Sequence, residues 1–392
     1  MKHELGISVY PDLSPLSEIK EYIKLASQYG ATRVFSSMFS VEGTNEEILE
    51  YFKEMIEIAH KYDMKVALDV NPQFFEQIGA SVDDLSVFSS INVDILRMDL
   101  SYGVENDQKL INNSHGITIE FNSSFKIVND LIQAGTDASQ FLVCHNFYPQ
   151  RYTGMKWKDF LTANQQMKSV GDVRISAFIS SNADNTHGVW NAKDGLPTVE
   201  RLRGLPIDLQ MRIMLATGNV DDILIGNAYA SEEEFKALQE ALIEVESKQE
   251  NPLLKMLSDS GALDLSNSTQ KKLRVILNEN MTQVEKDILF NFYPHLSFGD
   301  SSEWMWRNRL PRFIYSQSDK TIPYRQVQKE YFEPGDVVIV NDNYKHYAGE
   351  VQIVLLPMEN DGTRNLVAQL DKQEFQMMEL INPADTIVFL NK

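Results

Sequence analysis

The chain has 392 residues, 43% of them hydrophobic, and a formal charge of −20 from 36 Lys and Arg against 56 Asp and Glu. That field repels phosphate backbones and anionic lipid, no basic run offsets it, and no stretch of about 18 apolar residues occurs, so nucleic acid and membrane are excluded as main partners. The length exceeds one ordinary core and suits a barrel of roughly 250 residues plus a smaller domain, and the apolar content excludes a disordered chain.

The first half repeats one unit of apolar strand, polar turn and amphipathic helix. Leu5 to Tyr10 is the first strand, and Ser14-Pro15 predicts an N-cap with proline at the first helical position, followed by a face of Ile19, Tyr22, Ile23 and Ala26. Arg33 to Ser37 is the second strand. Thr44-Asn45-Glu46-Glu47 is a capping box before a helix that buries Ile48, Phe52, Met55, Ile56 and Ala59. Strands three to eight follow at Lys65 to Val70, Asp94 to Asp99, Thr118 to Asn122, Gln140 to Asn146, Val173 to Ser180 and Asp222 to Asn227. Ser231-Glu232-Glu233-Glu234 opens the last helix of the series as a second capping box. Eight such units favour an α/β (β/α)8 barrel over an open doubly wound sheet, which has fewer strands.

Past Glu246 the texture changes. Three segments are expected: a barrel at 1–246, a linker with one short helix at 247–270, and a small β-rich domain at 271–392. Strands are predicted there at Ile288 to Phe292, Arg312 to Ser316, Asp336 to Asn341, Glu350 to Leu356 and Thr386 to Leu390, with Glu333-Pro334-Gly335-Asp336 as a turn.

In a parallel barrel the site lies at the carboxyl ends of the strands, which turns attention to Asp69, Asp99 and Glu120. Adjacent strands sit about 4.8 Å apart, so inward carboxylates there can come within the roughly 5 to 9.5 Å that glycoside hydrolysis uses. Close approach also splits their pKa values, leaving one to donate a proton and another to attack or activate water. Arg97 is the obvious ion-pair partner. Asn71, Asn122, Asn146 and Asn227 each stand at or just past a strand end, where an amide either caps the next helix or binds a sugar hydroxyl. His145 and Tyr148 complete that rim. No second histidine stands at i+2 or i+4 of His145, so no metal is expected. The loop from Ser180 to Arg203 carries Gly188 and Arg201 or Arg203, and with Gly226 it occupies the place where barrels bind phosphate through backbone amides. The one cysteine, Cys144, excludes an intramolecular disulfide and reads as a small buried hydrophobe. With no apolar leader at the amino terminus, a cytoplasmic location is expected.

Together these motifs resemble the bacterial 6-phospho-N-acetylmuramidases. The resemblance rests on Gly6-Ile7-Ser8-Val9-Tyr10-Pro11, Phe35-Ser36-Ser37-Met38, Asp69-Val70-Asn71-Pro72, His145-Asn146-Phe147-Tyr148-Pro149, Gly195-Leu196-Pro197-Thr198-Val199-Glu200 and Ile225-Gly226-Asn227-Ala228-Tyr229. In the second domain it rests on Arg309-Leu310-Pro311-Arg312 and on Gly335-Asp336-Val337 through Tyr347-Ala348-Gly349-Glu350. It implies a TIM barrel with a cyclophilin-like β domain, hydrolysis of a 6-phosphorylated amino-sugar disaccharide in cell-wall recycling, and no metal or organic cofactor. The expected roles are Glu120 as proton donor, Asp69 or Asp99 as nucleophile, base or orienter, and Asn71, Asn122, Asn146 and Tyr148 on sugar hydroxyls. The expected partner is a phosphorylated sugar, with a homodimer left open. The competing class is a non-catalytic sugar-phosphate sensor, told apart by whether it turns its ligand over.

Overall fold

The computed structural model describes residues 3–38, 43–248, 252–261, 263–265, 268–292, 294–316 and 319–392. Two compact units divide the chain, Met1–Ile243 and Glu244–Lys392.

The first unit is a closed barrel of eight parallel strands in sequence order: β1 (Glu4–Ser8), β2 (Ala31–Ser37), β3 (Lys65–Val70), β4 (Ile95–Met98), β5 (Thr118–Asn122), β6 (Phe141–Cys144), β7 (Arg174–Ile179) and β8 (Asp222–Ile225). β1 pairs with both β2 and β8, which closes the ring and leaves no edge. Between and after the strands run α1 (Leu16–Gln28), α2 (Asn45–His60), α3 (Pro72–Gln77), α4 (Ser86–Ser90), α5 (Val104–Ile111), α6 (Phe125–Gln133), α7 (Trp157–Val170), α8 (Ile207–Ala216) and α9 (Glu232–Glu246). The capping boxes form: Thr44 and Glu47 exchange both hydrogen bonds at the start of α2, and Ser231 and Glu234 do so before α9. At α1 the expectation needs correction. Pro15 itself is the N-cap, in extended conformation, and the Ser14 hydroxyl is turned away to His187 Nε2 at 3.1 Å.

Period-2 alternation decides what the lumen contains. Phe35, Cys144, Phe178 and Leu224 pack as one buried cluster inside the barrel. The residues two positions from Phe35, Arg33 and Ser37, share its face. Register places Asp69 beside Arg97 and Arg97 beside Glu120 across β3, β4 and β5.

The second unit begins with the end of α9 and α10 (Pro252–Asp259) and contains α11 (Gln283–Asn291) and α12 (Leu310–Tyr315). Its strands are β9 (Gln270–Leu277), β10 (His295–Leu296), β11 (Met305–Asn308), β12 (Tyr331–Phe332), β13 (Asp336–Val340), β14 (Val351–Val354), β15 (Met358–Glu359), β16 (Arg364–Leu370) and β17 (Thr386–Asn391). Seven of them form one sheet in the order β10-β17-β9-β16-β13-β14-β11, and β12 pairs with β15. The predicted strands at Ile288 to Phe292 and Arg312 to Ser316 are helical instead. Short apolar runs do not distinguish the two states, and here a Thr282/Glu285 capping box opens α11 while Pro311 fits the first turn of α12. β9 escapes a hydrophobicity reading because Lys271 and Lys272 are both buried in it. Lys272 can be buried because its ammonium donates to the Ser247 carbonyl at 2.8 Å. Within the predicted linker 247–270, residues 249–251, 262, 266 and 267 lie outside the described residues.

Candidate active site

Arg97 is the hub of the barrel mouth. Its Nη1 donates to Asp69 Oδ1 at 2.6 Å, and its Nη2 donates to Asn146 Oδ1 at 2.5 Å and to Asn122 Oδ1. Asn122 in turn donates through Nδ2 to the Asp99 carboxylate at 3.1 Å and to the Asp99 carbonyl at 2.6 Å. One guanidinium thus ties together side chains from the ends of β3, β5 and β6 and, through Asn122, the residue that follows β4. A planar fork does this where an ammonium cannot. Burial pushes the Asp69 carboxyl up from the ordinary carboxylate range, with Arg97 pulling against it and Asp99 and Glu120 adding to the rise. Asp69 Oδ2 makes no hydrogen bond among the described residues. Asp69 is 7% exposed, and Asp99 is half-buried.

Glu120 belongs to a different layer. It is fully buried, and its Oε2 accepts from Arg33 Nη2 at 2.6 Å, Arg33 being only 2% exposed. Its Oε1 is buried with no hydrogen-bond partner. His145 points outward into the helical shell, where Asn164 Oδ1 lies 2.6 Å from Nε2, Ser123 Oγ lies 2.8 Å from Nδ1, and Phe160 packs on the ring. Burial lowers its pKa to about 4, so the ring is neutral at pH 7.

The loops that follow β3, β6, β7 and β8 are held by the remaining candidates. Asn71 caps α3 by accepting from the Phe74 amide at 2.8 Å. Asn227 is buried and clamps the backbone of Ser181 from both sides, at 2.8 and 2.9 Å. Arg203 donates to the carbonyls of Tyr148, Gln150, Asp194 and Gly195 and to the Glu200 carboxylate. Glu200, held at a pKa of about 2 chiefly by Arg203, also accepts from the Tyr152 and Gly154 amides. Gly188 and Gly226 are sites of close approach: a Cβ would fall 2.1 Å from Leu196 Cδ1 at the first and 2.4 Å from the Leu196 carbonyl oxygen at the second. Their amides are committed to Ala192 and Ile179 carbonyls at 2.8 Å each. Tyr148 is half-buried with its amide on the Pro197 carbonyl. Beside this framework lies a recess of about 620 Å³ lined by Arg151, Tyr152, Lys193 and Arg203 among others. Among the described residues Lys193 donates there only to the Thr186 carbonyl, at 3.3 Å. Among the described residues no group of three or more His, Cys, Asp or Glu is gathered to hold a metal ion.

The family described as "6-phospho-N-acetylmuramidase, N-terminal" matches residues 5–240, and that described as "6-phospho-N-acetylmuramidase, C-terminal" matches residues 271–390. The chain belongs to the 6-phospho-N-acetylmuramidase family. It is therefore a glycosidase by family. Among solved structures, an uncharacterized B. cereus protein is 31% identical over the whole of both chains with a TM-score of 0.80. A conserved Enterococcus faecalis protein with an unknown function is 22% identical, covers 99% of this chain and 96% of its own, and has a TM-score of 0.62, which is a likeness of fold. A search of curated proteins finds no match.

Sequence reasoning about this muramidase-family chain missed two residues that shape the mouth. Arg33 was readable: it stands two positions before Phe35 and four before Ser37 on a strand whose alternation aims all three inward. Tyr10 was not. Its hydroxyl donates to the Gly226 carbonyl at 2.5 Å, a partner 216 positions away that no local pattern announces.

Proposed function

We propose that the chain hydrolyses the β-1,4 bond of 6-phospho-N-acetylmuramyl-N-acetylglucosamine, as a cytoplasmic step in the recycling of cell-wall fragments. Family membership supports the reaction class and the phosphorylated amino sugar. The observation that carries the site assignment is the hydrogen-bonded series Asp69, Arg97, Asn122, Asp99 at the carboxyl ends of the strands.

In this reading Asp69 is the proton donor, because burial raises its affinity for a proton and its Oδ2 is free to reach the leaving oxygen. The proton passes to the glycosidic oxygen as the bond to the anomeric carbon breaks. Asp99 faces the positive charge that develops on that carbon, water adds there, and its proton returns to a carboxylate. The amide nitrogen of Asn146 holds a sugar hydroxyl, while Asn122, whose amide hydrogens go to Asp99, orients that carboxylate. Glu120, sealed beneath and paired with Arg33, positions the layer above it; a carboxylate fully out of reach of solvent does not meet a leaving group as Asp69 can. The 6-phosphate is assigned to the recess beside Lys193 and Arg151, since Arg203 has its donors committed to the loops.

Turnover by Asp69→Asn, Asp99→Asn and Glu120→Gln, on the phosphorylated disaccharide and on its unphosphorylated counterpart, tests this. The two aspartate variants are expected to lose activity on the phosphorylated substrate, and the unphosphorylated one to be a poor substrate throughout. Undiminished turnover by Asp69→Asn would remove it from the donor role.

A further inference from the structure

The second unit carries a concentration of positive charge that barrel chemistry does not use. β11, α12 and the residue between them bring Arg307, Arg309 and Arg312 together. Arg307 Nη2 donates to Glu350 Oε2 at 2.8 Å, and Arg312 Nη1 lies 3.9 Å from that same oxygen. Both guanidiniums also lie against the Tyr347 ring, 5.6 and 5.0 Å from its centroid. Arg309 pairs with Asp300 at 3.2 Å and lies 5.2 Å from the Phe298 centroid. Phe298 has a φ of +56°, a conformation that a bulky residue adopts only where its surroundings hold it.

Two carboxylates therefore face three guanidiniums, and one of the two is already engaged. Glu350 is fully buried, and its other oxygen accepts from Gln352 Nε2 at 2.9 Å. The Nε of Arg307 is buried with no partner, and the Arg312 side chain makes no hydrogen bond among the described residues. The three side chains remain 23%, 41% and 16% exposed. Local surplus positive charge is thus held in place, with the Arg309 and Arg312 side chains partly exposed, on a chain of net charge −20. Tyr344, 52% exposed, stacks on Tyr347 at 5.1 Å and offers an apolar face beside the cluster.

We infer that Arg307, Arg309 and Arg312 form an oxyanion site in the second unit, which receives the phosphate of a phosphorylated sugar. Recognition of the oxyanion rests on the arginines alone, whereas the sugar as its carrier rests on the proposed substrate. Fixed guanidinium forks match the paired oxygens of a phosphate, and its two negative charges relieve the repulsion among three neighbouring cations. The Tyr344 face accommodates the apolar side of a sugar ring. Nucleic acid as the source of the phosphate is disfavoured by the overall charge.

The test uses the full chain labelled with nitrogen-15 in arginine, following the Nε–Hε resonances during titration with glucose 6-phosphate, inorganic phosphate and glucose. Arg309→Gln and Arg312→Gln assign two signals by deletion. The resonances of the cluster are expected to shift saturably with both phosphates and to ignore glucose. Glucose 6-phosphate should bind tighter than inorganic phosphate. Arg312→Gln should weaken binding about tenfold, with partial recovery in Arg312→Lys, which keeps the charge and guards against a folding defect. Resonances that do not move, or that move as much with glucose, overturn the site; equal affinity for the two phosphates overturns the sugar as carrier. Failure here would leave the loss of turnover in the barrel variants as it stands, and failure of the hydrolase reading would leave these resonances responding.

Discussion

Arginine does opposite things in the two units. In the barrel three guanidiniums each have a carboxylate of their own: Arg33 with Glu120, Arg97 with Asp69, Arg203 with Glu200. In the second unit Arg307 and Arg312 share one buried carboxylate, and Arg309 leans on a partly exposed one. A matched cation orients the acid beside it and fixes the geometry of strand ends and loops. A cation without a full partner keeps attraction available for something that arrives from solution. Counting arginines would not separate these roles; counting what each already holds does.

The largest effect expected is on the barrel side. Asp69→Asn should cut turnover of the phosphorylated disaccharide about 10²- to 10⁴-fold with the fold intact by circular dichroism, the range that general acid catalysis supplies. Glu120→Gln is expected to act on stability first, because it leaves Arg33 charged and unmatched in the lumen at a cost of about 3–5 kcal/mol. Urea denaturation measures this, and a stable but inactive Glu120→Gln protein would return Glu120 to a chemical role. Gly226→Ala should cost roughly 1–3 kcal/mol by thermal melting, since its Cβ meets the backbone oxygen of Leu196. Lys193→Ala should raise KM about tenfold for the phosphorylated substrate with kcat near its original value, the signature of a contact that binds ground and transition state alike. Unchanged KM would take the phosphate out of that recess.

A pH effect sharpens the comparison by treating both units alike. His145 in the barrel and His295 in the second unit are each buried, and burial lowers each pKa from 6.5 to about 4. The unfolded chain therefore binds protons first. The contribution of each neutral ring is complete above about pH 6.5, declines as pH falls, and is gone below about pH 4. Urea midpoints for each unit, followed by its own tryptophans, Trp157 and Trp190 for the barrel and Trp304 and Trp306 for the second unit, should fall together across that window. A midpoint that ignores pH in one unit would show that its histidine is not neutral when folded.

Much of this protein could be read without coordinates, for particular reasons. Barrel strands are buried on both faces, so they appear as apolar runs, and the capping residues Thr44 and Ser231 mark the helices that separate them. The acids and amides stand out because they fall at the carboxyl ends of runs that are otherwise mostly apolar. The second unit was harder, because α11 and α12 carry short apolar runs that fit strand and helix equally, and because β9 buries two lysines. Local pattern thus determined the barrel and the order of its elements, and pointed to the polar side chains at its strand ends. Tertiary structure alone decided what each polar group does there: that Arg97 binds three partners, that Glu120 lies sealed on Arg33, that His145 faces the shell and that Arg203 and Asn227 hold loops. Alternation along a strand sets direction, whereas the partner of a hydrogen bond is set by segments tens to hundreds of positions away, which only chain closure brings within reach.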